Sequence, residues 1–402
     1  MLNYKNTIYP FEQYGGRTSL MEILNIIAEQ FGIPVIRYMG ISYLSVNDII
    51  KKVFNKSINE ISFQSDFSEK KIEQLHEILK TKCIDFFGEN TTPILKTSYI
   101  SNNNPNSLSF AGVGCTAIPI DNHFPLGNCF KKIILETRKE YSSYYRIIHG
   151  ISDLTFGCLL MDNLPEQYAW GTVWSTDNSC IFEIITYSPM IVKHIFVKNN
   201  IDLSFCIPES VINREQFLNE LEKVYSLTKS FPFSDIEFCI GSQGILLTQY
   251  RPVPHSLQSR IVLRNKQSLS HNCPPPYSDI ISTNGTIEIF TTIIDLTLIN
   301  KISLNENIII IVSYHPQNKN STLKDFIFSL TNMDIKNNFT IIALIDNNEQ
   351  WSHLHAVVAE DWHINHLGYM RSNDFYKIKN LKNGDSVYAC TDLDGWIQIR
   401  KN

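Results

Sequence analysis

The chain has 402 residues, 43% hydrophobic and 19% charged, with a formal net charge of −5. This composition fits a globular protein of two or three domains with sizeable cores. It argues against a general nucleic-acid surface, because no basic run interleaved with aromatics is present. Nine cysteines are scattered without a C-x-x-C pair, which argues against zinc and fits reduced thiols in a cytosol. Met1-Leu-Asn-Tyr-Lys5 lacks the apolar segment of a signal peptide, and the strongest apolar run, Ile308 to Val312, is too short to span a membrane. The expectation is a cytoplasmic protein with neither membrane nor nucleic acid as partner.

In chain order, Gly15-Gly16-Arg17 precedes a helix, and a glycine loop there can cradle an anion, although on pattern alone a plain helix-starting turn explains it better. Ser19 and Glu22 form a capping box, Leu20, Ile23, Leu24 and Ile27 follow at helical spacing, and Gly32 with Pro34 closes the helix. Lys70 to Lys82, Cys129 to Arg146 and Glu215 to Leu227 are predicted helices. Asn102 to Ser107 is a loop, and Trp170 to Tyr187 reads as two strands around Asp177-Asn178. A stiff segment at His271-Asn-Cys-Pro-Pro-Pro276 and a turn at Ser282-Thr-Asn-Gly285 mark a boundary. Beyond it, Ile287 to Ile294, Ile308 to Val312 and Thr340 to Ile345 read as strands and Ala356 to Trp362 as a helix. A last hairpin joins Val387-Tyr-Ala to Trp396-Ile-Gln-Ile399. The fold class is α/β (α+β), with domains at 1–254 and 286–402 and a linker at 255–285.

The segment Asp235 to Pro252 carries the most chemistry. Ile236, Phe238 and Ile240 alternate with Asp235, Glu237 and Cys239, the period of a half-buried strand. Ser242-Gln243-Gly244 fits a three-residue hairpin loop. That loop sets Glu237 opposite Gln249 and Asp235 opposite Arg251, on the face away from Phe238. Carboxylates can hold Mg²⁺ bridging phosphate oxygens, and arginine offers phosphate a fork of donors. An ordinary hairpin with cross-strand charge pairs explains the pattern as well.

These residues resemble the end of the ATP-grasp domain in the phosphoenolpyruvate synthase / pyruvate phosphate dikinase family, where D-I-E-(W/F)-x-I, a turn and L-x-x-L-Q-x-R-P bind Mg²⁺ and ATP phosphates. Gly15-Gly16-Arg17 with Gly32-Ile-Pro-Val35 resembles that family's G-G-K and G-(I/L)-P-V, with Arg17 in place of lysine. Lys96-Thr97-Ser98 and Ser109-Phe110-Ala111-Gly112 resemble R-S-S and S-F-A-G, with Lys96 in place of arginine. Gly171 to Asp177 resembles G-V-x-F-T-x-D, and Glu183 stands where the family has an acid. The family's G-L-G-E is replaced by Thr186-Tyr-Ser-Pro189. Near the end, Ser352-His353-Leu354-His355-Ala356-Val-Val-Ala359 resembles the family's phosphohistidine loop, with either His353 or His355 as nucleophile, and Lys382 to Val387 with Asp394 to Ile399 resembles its D-G-D-x-V…G-x-V ending.

The resemblance implies an ATP-grasp domain followed by a small swivelling β/α phosphohistidine domain, without the family's acceptor barrel. It implies ATP and Mg²⁺ as cofactors, with Arg17, Lys96, Glu183, Asp235, Glu237, Gln249 and Arg251 around the nucleotide and Glu237 and Gln249 at the metal. The implied reaction is a dikinase-type phosphotransfer, in which ATP yields AMP and phosphate through a phosphohistidine. The acceptor is a small molecule or lies on a partner protein. Two alternatives stand beside it: a degenerate nucleotide-binding module, and an ATP-grasp ligase that forms an acyl phosphate and ADP.

Overall fold

The computed structural model describes residues 8–61, 64–89, 91–100, 115–119, 123–139, 142–143, 155–163, 167–176, 180–187, 190–197, 214–241, 244–252, 281–290, 307–313, 339–345, 366–378, 380–392 and 396–402. The chain forms two compact units, one of residues 1–175 and 203–253 and one of residues 176–202 and 254–402.

The first unit opens with α1 (Phe11–Tyr14) and α2 (Gly16–Gln30). Nearly the whole circumference of α2 is buried, from Thr18 through Ala28, so this helix is internal. It starts a turn earlier than the Ser19–Glu22 pair predicts, because Gly15, at φ 79° and ψ 172°, breaks the chain direction just before it. Ser19 therefore lies inside the helix and donates to the carbonyls of Tyr9 and Gly15. Glu22 instead accepts from the backbone N–H groups of Ile8 and Tyr9, at 2.9 Å each, and ties down the chain ahead of α1. The predicted stop holds: Gly32 N–H bonds Glu29 O and Ile33 N–H bonds Ala28 O, with Gly32 at φ 62°. This paired bonding satisfies the last carbonyls of the helix. Pro34 and Ile36 then exchange backbone bonds with Leu247, which gives the Gly32-Ile-Pro-Val35 motif a structural use.

β1 (Tyr38–Ile41), β2 (Ile94–Tyr99), β3 (Thr116–Ala117) and β4 (Phe156–Met161) form an antiparallel sheet in the order β1-β4-β2-β3. The helices α3 (Tyr43–Phe54), α4 (Glu69–Phe87) and α5 (Pro125–Thr137) follow β1, precede β2 and follow β3 in the chain. α3 was not foreseen, although Ser42 caps it and Val46, Ile49, Ile50 and Val53 form its buried stripe. α5 begins before Cys129, at Pro125 as first helical residue, and ends at Thr137 rather than Arg146. β5 (Gln167–Ser175), β8 (Ser234–Gly241) and β9 (Gly244–Pro252) are consecutive antiparallel strands, and α6 (Arg214–Thr228) precedes β8. α2 packs on both β2 and β9.

The second unit holds the antiparallel hairpin of β6 (Cys180–Tyr187) and β7 (Met190–Val197). It also holds a sheet of β10 (Ser282–Phe290), β11 (Ile308–Ser313), β12 (Phe339–Ile345), β13 (Leu367–Arg371), β14 (Ser386–Thr391) and β15 (Ile397–Lys401). The order is β13-β12-β11-β10-β14-β15, parallel from β10 to β13 and antiparallel thereafter. Runs such as Ile308–Val312 are apolar throughout because parallel strands are covered on both faces. Ser282 to Gly285, predicted as a turn, is instead the first half of β10, paired with β14. Its small polar residues suit a strand end that is partly exposed. The predicted final hairpin is β14–β15, and the short helix α7 (Ser372–Tyr376) follows β13. Among the described residues no helix is long and apolar enough to cross a membrane.

Candidate functional site

The β8–β9 hairpin pairs Asp235 with Arg251 and Glu237 with Gln249, as the sequence predicts. The route to that register differs. Gly241 pairs with Gly244 across a two-residue connection, and the extra residue enters at a bulge where Phe238 faces Leu247 and Glu237 faces Gln249. Thr248 is the residue left over, and Leu247 is where the segment after α2 bonds to β9. A bulge of this kind bends the strand and re-aims the side chains beyond it.

The predicted half-buried strand is corrected. Apart from Glu237, β8 is buried on both faces, and Asp235 and Arg251 are each 6% exposed. The polar face is covered because the side chains of Arg17 from α2 and Lys96 from β2 meet it. Lys96 Nζ donates to Gln249 Oε1 at 3.1 Å. Arg251 extends its fork to both acids, Nη1 to Asp235 Oδ2 at 2.9 Å and Nη2 to Glu237 Oε1. Arg17 Nη1 donates to Thr97 O at 3.2 Å. Arg17, Lys96 and Glu237 are only partly buried, whereas Asp235, Gln249 and Arg251 are buried.

Electrostatics report the same convergence. Burial pulls the Lys96 ammonium down to about 8; Glu237 opposes this, and Arg17 and Arg251 add to it. Burial, then the Arg251 charge, pulls the Arg17 guanidinium down to about 10, against Glu237. Among the described residues, with Lys96 protonated, three cations face two carboxylates, an excess of one positive charge. Gln249 Nε2, a buried donor, has no hydrogen-bond partner among the described residues. Lys96 fixes the orientation of that amide by binding its oxygen.

Two expected hydroxyls are employed elsewhere. Ser98 Oγ accepts from Thr18 N–H and Thr97 Oγ1 accepts from Cys115 N–H, so both hydroxyls serve backbone groups. Gly15 lies so close to β2 that a Cβ would come within 2.2 Å of Ser98 O. The glycine turn thus docks α2 on the strand that carries Lys96, and Ser98 acts as a cap supplied from outside the helix. Sequence reasoning missed that role, since residues 18 and 98 are joined only by folding. Glu183 is buried in the second unit, opposite His194 on β7. His353, His355, the helix at Ala356 and Ser109 to Gly112 lie outside the described residues. Among the described residues no group of three or more His, Cys, Asp or Glu stands together to hold a metal. The seven described cysteines form no disulfide.

No protein-family model and no curated protein matches the chain. Solved structures with some similarity include the D-alanine–D-alanine ligase from Helicobacter pylori, 13% identical over 59% of this chain and 54% of that one, with a TM-score of 0.26. The N5-carboxyaminoimidazole synthetase from Staphylococcus aureus complexed with ADP is 13% identical over 62% and 49%, with a TM-score of 0.27. Cdc123 from Schizosaccharomyces pombe is 11% identical over 61% and 90%, with a TM-score of 0.30. The chain spans about half the length of the ligase and the synthetase, both ATP-grasp proteins. These TM-scores lie well below one half, and the likenesses carry no argument about this chain.

Proposed function

We propose that the first unit binds the phosphates of ATP together with Mg²⁺, and that the chain is an ATP-dependent enzyme of ATP-grasp type. The carrying observation is the convergence of Arg17, Lys96 and Arg251 around Gln249, whose buried Nε2 lacks an acceptor among the described residues. A phosphate group fits this donor set: it supplies the acceptor and offsets the excess positive charge. Arg17 and Lys96 would hold phosphate oxygens, and Gln249 would donate to one. Asp235 and Glu237 would hold the metal, consistent with magnesium's habit of taking one or two carboxylates plus substrate phosphates. Held by these residues, such an ion would supply charge that offsets that of the phosphates.

Of the two enzymatic readings, we place the ligase reading first. There a carboxylate on a small-molecule acceptor becomes an acyl phosphate and ADP leaves, which asks no covalent carrier of the chain. The dikinase reading needs His353 or His355, in the connection between β12 and β13. The test is nucleotide analysis of the purified chain with Mg²⁺-ATP, a cell-extract pool of small acids as acceptors, and Lys96→Met and His353→Ala/His355→Ala as variants. ADP formation that depends on Lys96 and on acceptor, and survives loss of both histidines, supports the ligase. AMP with an acid-labile phosphoryl adduct lost with the histidines supports the dikinase. Failure of ATP to bind the wild type by calorimetry overturns both.

A further inference from the structure

The geometry points to Arg251 as a lock on the metal site: without phosphate its guanidinium occupies Asp235 and Glu237, so a divalent cation binds only with, or after, the nucleotide. This rests on the nucleotide reading above and adds an order of events to it.

Asp235 and Glu237 sit two apart on β8 and so share a face, and Arg251 lies directly across from Asp235 on β9. One planar fork therefore reaches both carboxylates. The three side chains are 7%, 8% and 17% exposed for Arg251, Asp235 and Glu237, so water competes little for these bonds. A bare divalent cation entering here meets carboxylates already engaged by Arg251, with the cations Arg17 and Lys96 nearby. Repulsion at such range in a poorly hydrated site is strong. A phosphate changes both conditions. It reverses the local charge, and it offers the Arg251 fork a partner of matching geometry. The carboxylate oxygens that Arg251 leaves then face a cation that the phosphate also holds. By linkage, the factor by which nucleotide tightens metal binding equals the factor by which metal tightens nucleotide binding.

The experiment uses the full chain, with Mn²⁺ as probe and free Mn²⁺ read by electron paramagnetic resonance, with and without a non-hydrolysable ATP analogue. Without analogue, Arg251→Met is expected to bind Mn²⁺ about tenfold more tightly than wild type. Adding Asp235→Asn to that variant should remove the gain, which assigns the ion to this site. Arg251→Lys keeps the charge in case the neutral variant fails to fold. Its ammonium is a point charge without the planar fork, so an intermediate gain is expected. Wild type that binds Mn²⁺ alone as tightly as Arg251→Met overturns the lock, as does the absence of a gain in both Arg251 variants. Analogue binding to wild type without any such gain sinks the lock and leaves the nucleotide reading standing. A Mn²⁺ gain in Arg251→Met when wild type binds no analogue supports the lock and removes the nucleotide reading.

Discussion

The two units bury their strands in opposite ways. In the second, Ile287, Ile309, Ile311, Ile342 and Leu344 fill a core of hydrophobic side chains. In the first, β8 and β9 are as deeply buried, yet they carry Asp235, Gln249 and Arg251 inward. Apolar burial stabilises a sheet directly. Burying an ion pair mostly returns what desolvation takes, and well-packed hydrophobic residues often do better. The polar hairpin is therefore weak evidence for stability and stronger evidence for a site, because perturbed charges gather where chemistry needs them.

The sharpest way to break this contrast is Arg251→Ala, which strands Asp235 and Glu237 without their fork. A loss of about 3–5 kcal/mol in the denaturant-measured stability of the first unit is expected. A change near zero would show that the cluster behaves as solvated surface and would erase the distinction between the units. The apolar counterpart is Ile342→Ala, expected to lose about 3 kcal/mol in the second unit. Denaturant unfolding measures it, and a change near zero would show that this core is not closely packed.

Gly15→Ala ranks next. Its backbone lies in a region essentially restricted to glycine, and the new Cβ would press on Ser98 O. A destabilisation of about 2 kcal/mol is expected from strain and overpacking. Because α2 carries Arg17, weaker ATP binding should accompany it.

The smallest effect is in pH. Lys96 titrates near 8 in the fold against an ordinary 10.5. Below about 8 both folded and unfolded chains hold the proton, and the burial penalty is present in full. Between about 8 and 10.5 the unfolded chain binds more protons, so this residue makes stability rise with pH. Buried thiols such as Cys158, pushed up by desolvation, act in the opposite sense above their ordinary value of 9.0. The readable quantity is thus the difference between wild type and Lys96→Met across this window. A flat difference would mean Lys96 is no more buried than an ordinary surface lysine.

Much of the scaffold was legible in local pattern. The stop of α2 at Gly32, the strand at Ile308 and the C-terminal hairpin follow from short-range rules of turn chemistry and alternation. Errors arose where a tertiary partner overrode a local signal. Glu22 was drawn from its helix cap to the backbone of Ile8 and Tyr9, and Ser282 to Gly285 was drawn from a turn into pairing with β14. The register of the acids came from a bulge beside Thr248, not from the hairpin loop, and Leu247 next to it is bonded on its outer side by the segment after α2.

The sequence by itself determined which residue types were available and which side chains along one strand share a face, since strand alternation is a local property with a fixed period. Only the tertiary structure decided that Arg17 and Lys96, from a helix and a strand distant in the chain, reach that hairpin and meet its charges in a partly dry setting. The reason is physical: a charge acquires a shifted affinity for its proton, or for an anion, from the groups and the water around it, and those are assembled only when the chain folds.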